Sequence, residues 1–237
     1  MIYFVGAGPG DIELITVKGR RYLQDADVVL YTGSLVPKEM LTWCKSSAII
    51  ESSENMTYAE IFEFLLRYKD VNFVRLHTGD PSIYSTIAKQ IEFLKANEIN
   101  YEVVPGVTAA FAAAAALGIE YTIPGVSQTI VISRVEGNTP NPQSLESILS
   151  LKNSSFVFYL SIKLIAKLQE CAKKLGYADM TPCFVVEKAS WSTQAIYYGT
   201  LADIHLQISH IKGVAVILMG DFLNQKELCK SGLYSAQ

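Results

Sequence analysis

Two hydrophobic periods alternate along the first half of the chain. Short apolar runs at residues 2–5, 28–31, 48–50, 73–76 and 101–104 predict buried strands. Between them, apolar positions recur at helical spacing and predict helices over 16–24, 85–97 and 108–117. Thr57-Tyr58-Ala59-Glu60 has the spacing of a capping box and predicts a further helix running to about Tyr68. Strands alternating with helices predict an α/β fold with a mainly parallel N-terminal sheet. Residues 118–124 carry no clear element and suggest a division into domains at 1–120 and 121–237. Beyond it, strands are expected at 129–133, 156–160, 183–186, 194–198 and 214–219. Helices are expected at 144–149, 162–175 and 201–211. Residues 183–186 and 194–198 are close enough for a hairpin, so the C-terminal sheet is predicted to be mixed.

Composition narrows the function classes. The chain has 237 residues, 50% of them hydrophobic, enough for a full core in one large domain or two small ones. The net charge of -3 is spread through the chain with no basic tract, which argues against a nucleic-acid partner. The opening residues lead straight into a glycine loop and predict no secretory leader. No apolar run approaches the roughly 18 residues of a membrane span, so no membrane is expected as partner. Cys44, Cys171, Cys183 and Cys229 form no CxxC pair and stand apart from His77, His205 and His210. They read as reduced thiols of a cytoplasmic protein, with no metal site.

The candidate chemistry lies in three loops that each follow a predicted strand. Gly6-Ala7-Gly8-Pro9-Gly10-Asp11 invites a dinucleotide reading, but Asp11 stands where a third glycine is needed, and Pro9 removes a backbone donor. A carboxylate there also repels the phosphate that a helix start would attract. The second strand ends at Tyr31-Thr32, with no acid for a ribose diol, so NAD is disfavoured. His77-Thr78-Gly79-Asp80-Pro81 offers an open backbone and a carboxylate; read alone, its spacing slightly favours a turn in which Asp80 caps the following helix. Pro105-Gly106-Val107-Thr108 leads into an alanine-rich helix. All three loops can line one sheet edge.

These loops, in this order and spacing, resemble the tetrapyrrole methylase family. The likeness continues through Leu14-Ile15-Thr16-Val17-Lys18-Gly19 and narrows to its precorrin-4 and cobalt-precorrin-4 C11-methyltransferases. The narrower match rests on Tyr31-Thr32-Gly33-Ser34-Leu35, Arg75-Leu76-His77, Ser82-Ile83-Tyr84, Val126-Ser127-Gln128-Thr129, Glu136-Gly137, Ala189-Ser190-Trp191 and Ser231-Gly232-Leu233-Tyr234. The resemblance implies the two-domain tetrapyrrole methylase fold, S-adenosylmethionine in a cleft between the domains, S-adenosylhomocysteine as product, and a homodimer. It implies cofactor contacts at Pro9, Thr78, Gly79, Asp80, Ile83, Thr108 and Ala109, and at Leu160, Ala189 and Ala215.

The expected reaction is methylation of a corrin-pathway tetrapyrrole at C11, in cobalamin biosynthesis. Ser34, Tyr84 and Arg134 are candidate substrate contacts, and no general base is assigned. Two departures bear on the substrate. Uroporphyrinogen methylases carry an acid where this chain has Thr32, which argues against uroporphyrinogen. The C11 enzymes commonly read Glu-Gly-Arg-Thr-Pro, whereas Asn138 stands here for the arginine, removing one guanidinium from carboxylate recognition. A methylase acting at another ring carbon, a relative that modifies diphthamide precursors or ribosomal RNA, and a non-enzymatic nucleotide sensor are the alternatives.

Overall fold

The computed structural model describes residues 1–224; Cys229 and the Ser231-Gly232-Leu233-Tyr234 motif lie outside the described residues. The chain divides into two compact units, Met1–Ala109 with Ser190–Ser192, and Ala110–Ala189 with Thr193–Gln237. The division therefore falls at the start of the alanine-rich helix rather than at 120, and a three-residue segment from late in the chain belongs to the first unit.

The first unit is built on strands β1 (Ile2–Gly6), β2 (Val28–Tyr31), β3 (Ile49–Ser52), β4 (Phe73–His77) and β5 (Tyr101–Val104). They form a wholly parallel sheet in the order β3-β2-β4-β1-β5. Helix α1 (Val17–Asp25) starts where the Thr16 hydroxyl accepts from the Gly19 amide, and a short helix α2 (Lys38–Leu41) follows β2. The expected capping box opens α3 (Tyr58–Arg67), with Thr57 and Glu60 satisfying each other's backbone amides. Helix α4 (Ile87–Ala96) begins two residues later than its pattern suggests, because Tyr84 and Thr86 take left-handed backbone conformations.

Each face of the sheet is covered, as a parallel sheet requires. Val5, Leu23, Val29, Val74 and Leu76 pack on one side; Phe4, Leu30, Leu65, Phe73 and Leu94 pack on the other. Strand alternation puts Arg75 and His77 on the second side, inside the core. Arg75 is 3% exposed and donates to the Leu30 carbonyl at 3.0 Å and to Gln90 Oε1 at 3.1 Å. Burial lowers its pKa to about 10.

His77 is 1% exposed, and neither ring nitrogen has a hydrogen-bond partner among the described residues. Burial, reinforced by the Arg75 charge, holds its pKa well below the ordinary value. Folded His77 is therefore neutral, while an unfolded histidine takes a proton below about pH 6.5. Stability is complete above that pH and declines as pH falls below it, by at most about 1.4 kcal/mol per unit. His77→Phe should flatten this acid slope relative to the parent in denaturant titrations between pH 4.5 and 7. Parallel slopes in the two proteins would rule the assignment out.

The second unit carries β6 (Ile130–Ser133), β7 (Ser155–Tyr159), β8 (Cys183–Glu187), β9 (Ala195–Tyr197) and β10 (Ala215–Met219), in the order β6-β7-β10-β8-β9. The β6–β7 pair is parallel and the other pairs are antiparallel, including the expected β8–β9 hairpin. Helices α5 (Ala109–Leu117), α6 (Leu145–Leu149), α7 (Ile165–Lys174) and α8 (Ile204–Ile208) complete the described elements. Helix α8 is shorter than its pattern, since Asp203 binds the Thr200 amide and hydroxyl and holds the preceding residues in turns. The core of this unit gathers Phe156, Phe158, Leu168, Val185, Leu201 and Ile217.

Candidate functional site

Strands β1 and β4 are neighbours whose connections leave on opposite faces of the sheet. The chain leaves β1 through α1, whose Leu23 packs on one face, and leaves β4 through α4, whose Leu94 packs on the other. In a parallel sheet this divergence opens a crevice beyond the carboxyl ends of the two strands. The loops at 6–11, 78–81 and 105–108 all emerge at that edge, since β5 flanks β1.

Backbone contacts lock the three loops together. Gly8 and Gly79 exchange hydrogen bonds of 3.2 and 2.8 Å. Gly106 packs so tightly that an added Cβ would stand 2.2 Å from the Gly79 carbonyl oxygen and 2.8 Å from the Gly6 Cα. The Thr78 amide donates to the Thr32 hydroxyl at 3.3 Å, tying in the loop after β2. Asp80 does not cap α4. Its carboxylate accepts from the Ser82 amide at 2.7 Å and from the Gly106 amide at 2.8 Å, bridging the second and third loops.

Ser190–Ser192 closes over the first loop. The Ser190 hydroxyl accepts from the Asp11 amide at 2.9 Å, and Trp191 Nε1 donates to the Pro9 carbonyl at 2.8 Å. Pro9 is thereby buried, with its carbonyl already used. One place beside these loops stays open. Gly79 has φ +64, and a Cβ there would meet nothing closer than 3.9 Å. Thr78, Gly79, Asp80, Ile83 and Ala109 are half-buried, while Thr108, whose Cα stands 3.9 Å from that Cβ position, is buried. An open backbone at a braced sheet edge fits a small polar ligand that must approach the main chain closely.

In the second unit the expected residues also share one sheet edge. Leu160 follows β7, Ala189 lies just past β8, and Ala215 begins β10, which runs antiparallel to both. Arg134 follows β6, which is parallel to β7, so it reaches the same edge. Leu160 has φ +55 and is 67% exposed. A branched apolar side chain held outward in a left-handed conformation is costly, and such outliers gather at ligand sites. Ala189 and Ala215 are buried. Tyr159 accepts from the Ala110 amide at 2.6 Å, and Tyr121 donates to the Ala110 carbonyl at 2.6 Å, fixing the first turn of α5.

The three candidate substrate contacts lie apart in the chain. Ser34 sits in a short turn after β2 and donates to Glu54 at 3.4 Å. It lines a cavity of 780 Å³ with Tyr31, Lys38, Glu51, Glu54 and Trp191. Tyr84 is 44% exposed with φ +52. Arg134 donates to the Thr139 carbonyl at 2.8 Å, which braces the 137–139 loop beside a 420 Å³ cavity.

Sequence reasoning left out Gly6 and Gly106 as packing partners, Thr32 as a loop tie, and Trp191 as the cover of the first loop. Trp191 carried a signal only as part of a motif; its partner lies 182 residues away. Among the described residues no helix is long and apolar enough to cross a membrane. None of their His, Cys, Asp and Glu side chains form a group able to hold a metal ion.

Comparison with known proteins agrees with this arrangement. The family described as Tetrapyrrole (Corrin/Porphyrin) Methylases matches residues 1–205. A cobalt-precorrin-4 C(11)-methyltransferase of Methanocaldococcus jannaschii is 43% identical over 241 residues, covering 98% of this chain and 92% of that protein. A precorrin-4 C(11)-methyltransferase of Pseudomonas aeruginosa is 38% identical, covering 100% and 96%. Among solved structures, a cobalt precorrin-4 methyltransferase superposes with a TM-score of 0.90 at 38% identity, covering 94% of this chain and 95% of that one. A uroporphyrin-III C-methyltransferase from Thermus thermophilus, complexed with S-adenosylhomocysteine, superposes at 0.79 with 27% identity, covering 94% and 98%. With its parallel and mixed sheets, its braced glycine loops and these full-length likenesses, the chain belongs to the tetrapyrrole (corrin/porphyrin) methylase family.

Proposed function

We propose that this protein transfers a methyl group from S-adenosylmethionine to C11 of precorrin-4 or cobalt-precorrin-4, in cobalamin biosynthesis. The observation that carries the reading is the open main chain at Gly79, held by the Gly8, Asp80 and Gly106 contacts, in a chain alike over its full length to C11-methyltransferases. When bound, the cofactor supplies an electrophilic methyl on a sulfonium. The chain's own part is to hold and orient. In the first unit Pro9, Thr78, Gly79, Asp80, Ile83, Thr108 and Ala109 form the proposed cofactor set, and in the second unit Leu160, Ala189 and Ala215. Asp80 acts in this set through the loop it braces, and Pro9 through its packing under Trp191. The ring carbon is itself the nucleophile, so in-line positioning supplies much of the catalysis and no covalent enzyme intermediate is needed. Any cobalt belongs to the substrate.

The test is transfer of labelled methyl from S-adenosylmethionine to tetrapyrroles, followed by product mass and carbon-resolved NMR. Label at C11 is the expected result. Label at another ring carbon would favour the alternative methylase, and binding of S-adenosylhomocysteine without any transfer would favour the sensor.

A homodimer and a cytoplasmic location complete the proposal. The buried, unpaired thiols of Cys171 and Cys183 suit a reducing compartment; burial pushes Cys183 up to about 12 and leaves it unreactive. Light scattering should give twice the chain mass at micromolar concentration, and a single-chain mass would remove the dimer. Fractionation with a periplasmic or membrane marker would remove the location.

A further inference from the structure

The 420 Å³ cavity of the second unit is lined by Arg134, Asn138, Leu160, Lys163, Leu164 and Lys212, among others, and by no aspartate or glutamate. Lys163 lies in the short turn Ile162–Leu164 after β7, and Lys212 in the loop before β10. Both are exposed, and neither makes an ion pair or hydrogen bond among the described residues. This sets them apart from Lys173 and Lys174, which pair with Asp179 and Glu170, and from Lys167, which donates to the Glu136 carbonyl. Arg134 spends one donor on the Thr139 carbonyl and keeps the rest of its guanidinium. Three cations thus line one cavity with no carboxylate in its lining, in a protein whose net charge is -3. Such a concentration of one sign is a local anion site.

From this we infer that Lys163 and Lys212, with Arg134, bind carboxylate side chains of the tetrapyrrole substrate and set its orientation. The inference rests on the methylase reading above. The charge balance distinguishes the two ligands of that reaction. S-adenosylmethionine has one carboxylate but also an ammonium and a sulfonium, so its net charge is positive and a tri-cationic cavity opposes it. A corrin-pathway tetrapyrrole carries several carboxylates around an apolar ring. Leu164 offers apolar surface in the cavity where the cations stand, matching that amphipathic shape. Asn138, which stands for the usual arginine, lines the same cavity. Lys163 and Lys212 are therefore the side chains that supply positive charge where the guanidinium is missing.

The test uses Lys163→Gln, Lys212→Gln and the double variant, with Lys163→Arg as the charge-keeping control. Binding of uroporphyrin, a stable polycarboxylate porphyrin, is read by fluorescence quenching, and binding of S-adenosylhomocysteine by calorimetry. The single variants should weaken uroporphyrin about fivefold each and the double variant about twenty-fold. Lys163→Arg should stay near the parent, and S-adenosylhomocysteine affinity should not change. In methyl transfer, KM for the tetrapyrrole should rise by similar factors with kcat nearly constant. Unchanged uroporphyrin binding and KM in the double variant would overturn the inference while leaving the methylase reading intact. A loss confined to S-adenosylhomocysteine would also overturn it, by assigning the cations to the cofactor. Absence of methyl transfer in the parent with every tetrapyrrole would defeat the methylase reading, and the uroporphyrin measurement would still decide whether the cavity binds polycarboxylates.

Discussion

Gly106→Ala is expected to destabilise the protein by about 3 kcal/mol, the upper end for overpacking, and to weaken S-adenosylhomocysteine at least about tenfold. The new methyl group would stand 2.2 Å from the Gly79 carbonyl oxygen, 2.8 Å from the Gly6 Cα and 3.1 Å from the Gly6 carbonyl carbon. All of these are backbone atoms of neighbouring loops, so no side chain can rotate aside. Relief requires the third loop to move away from the first two, which breaks the Gly106–Asp80 contact and alters the space beside Gly79. Gly118→Ala is the control. Gly118 has φ +64 with nothing within 4 Å of an added Cβ, so its cost is conformational only, about 1 kcal/mol. Denaturant midpoints and calorimetry on both variants check this. A Gly106→Ala protein as stable as the Gly118→Ala control, with parent-like affinity, would mean that the loops are not locked as described.

Asp80→Ala should give the second-largest effect, through the bridge rather than through direct contact with a ligand. It removes the acceptor of the Ser82 amide at 2.7 Å and of the Gly106 amide at 2.8 Å. A charge-assisted acceptor lost from a half-buried donor costs about 1–3 kcal/mol. Hydrogen exchange should accelerate at both amides, and S-adenosylhomocysteine should bind about tenfold more weakly. Asp80→Asn keeps one carbonyl oxygen and can satisfy one of the two amides, so it should fall between parent and alanine. If alanine weakened the ligand while both amides kept their exchange rates, Asp80 would instead be a direct ligand contact.

The alternation of buried runs and helical-period segments determined the order of elements, because each strand and helix answers to burial of its own residues. Both sheets follow from it, as does the start of α3, where Thr57 and Glu60 are three residues apart and close a local cap. The glycine loops were legible for the same reason: a chain that turns sharply after a strand needs its glycines there, whatever surrounds it.

Features that depend on partners distant in sequence were decided only by the tertiary structure. The motif allowed Asp80 to be a helix cap or a ligand wall, but the registers of β4 and β5, each against β1 between them, put the Gly106 amide within its reach. Trp191 belongs to the connection between two strands of the second unit, yet its indole covers a loop formed 182 residues earlier. Arg75 stood in a strand run and His77 at the head of a loop, and strand alternation put both side chains into the core. Lys163 and Lys212 were ordinary surface lysines in sequence. They came to share a cavity with Arg134 because β6, β7 and β10 bring the ends of three separated segments to one sheet edge. Local pattern records whether a residue is buried; which residues it meets is set by strand order and register, which no single stretch of sequence contains.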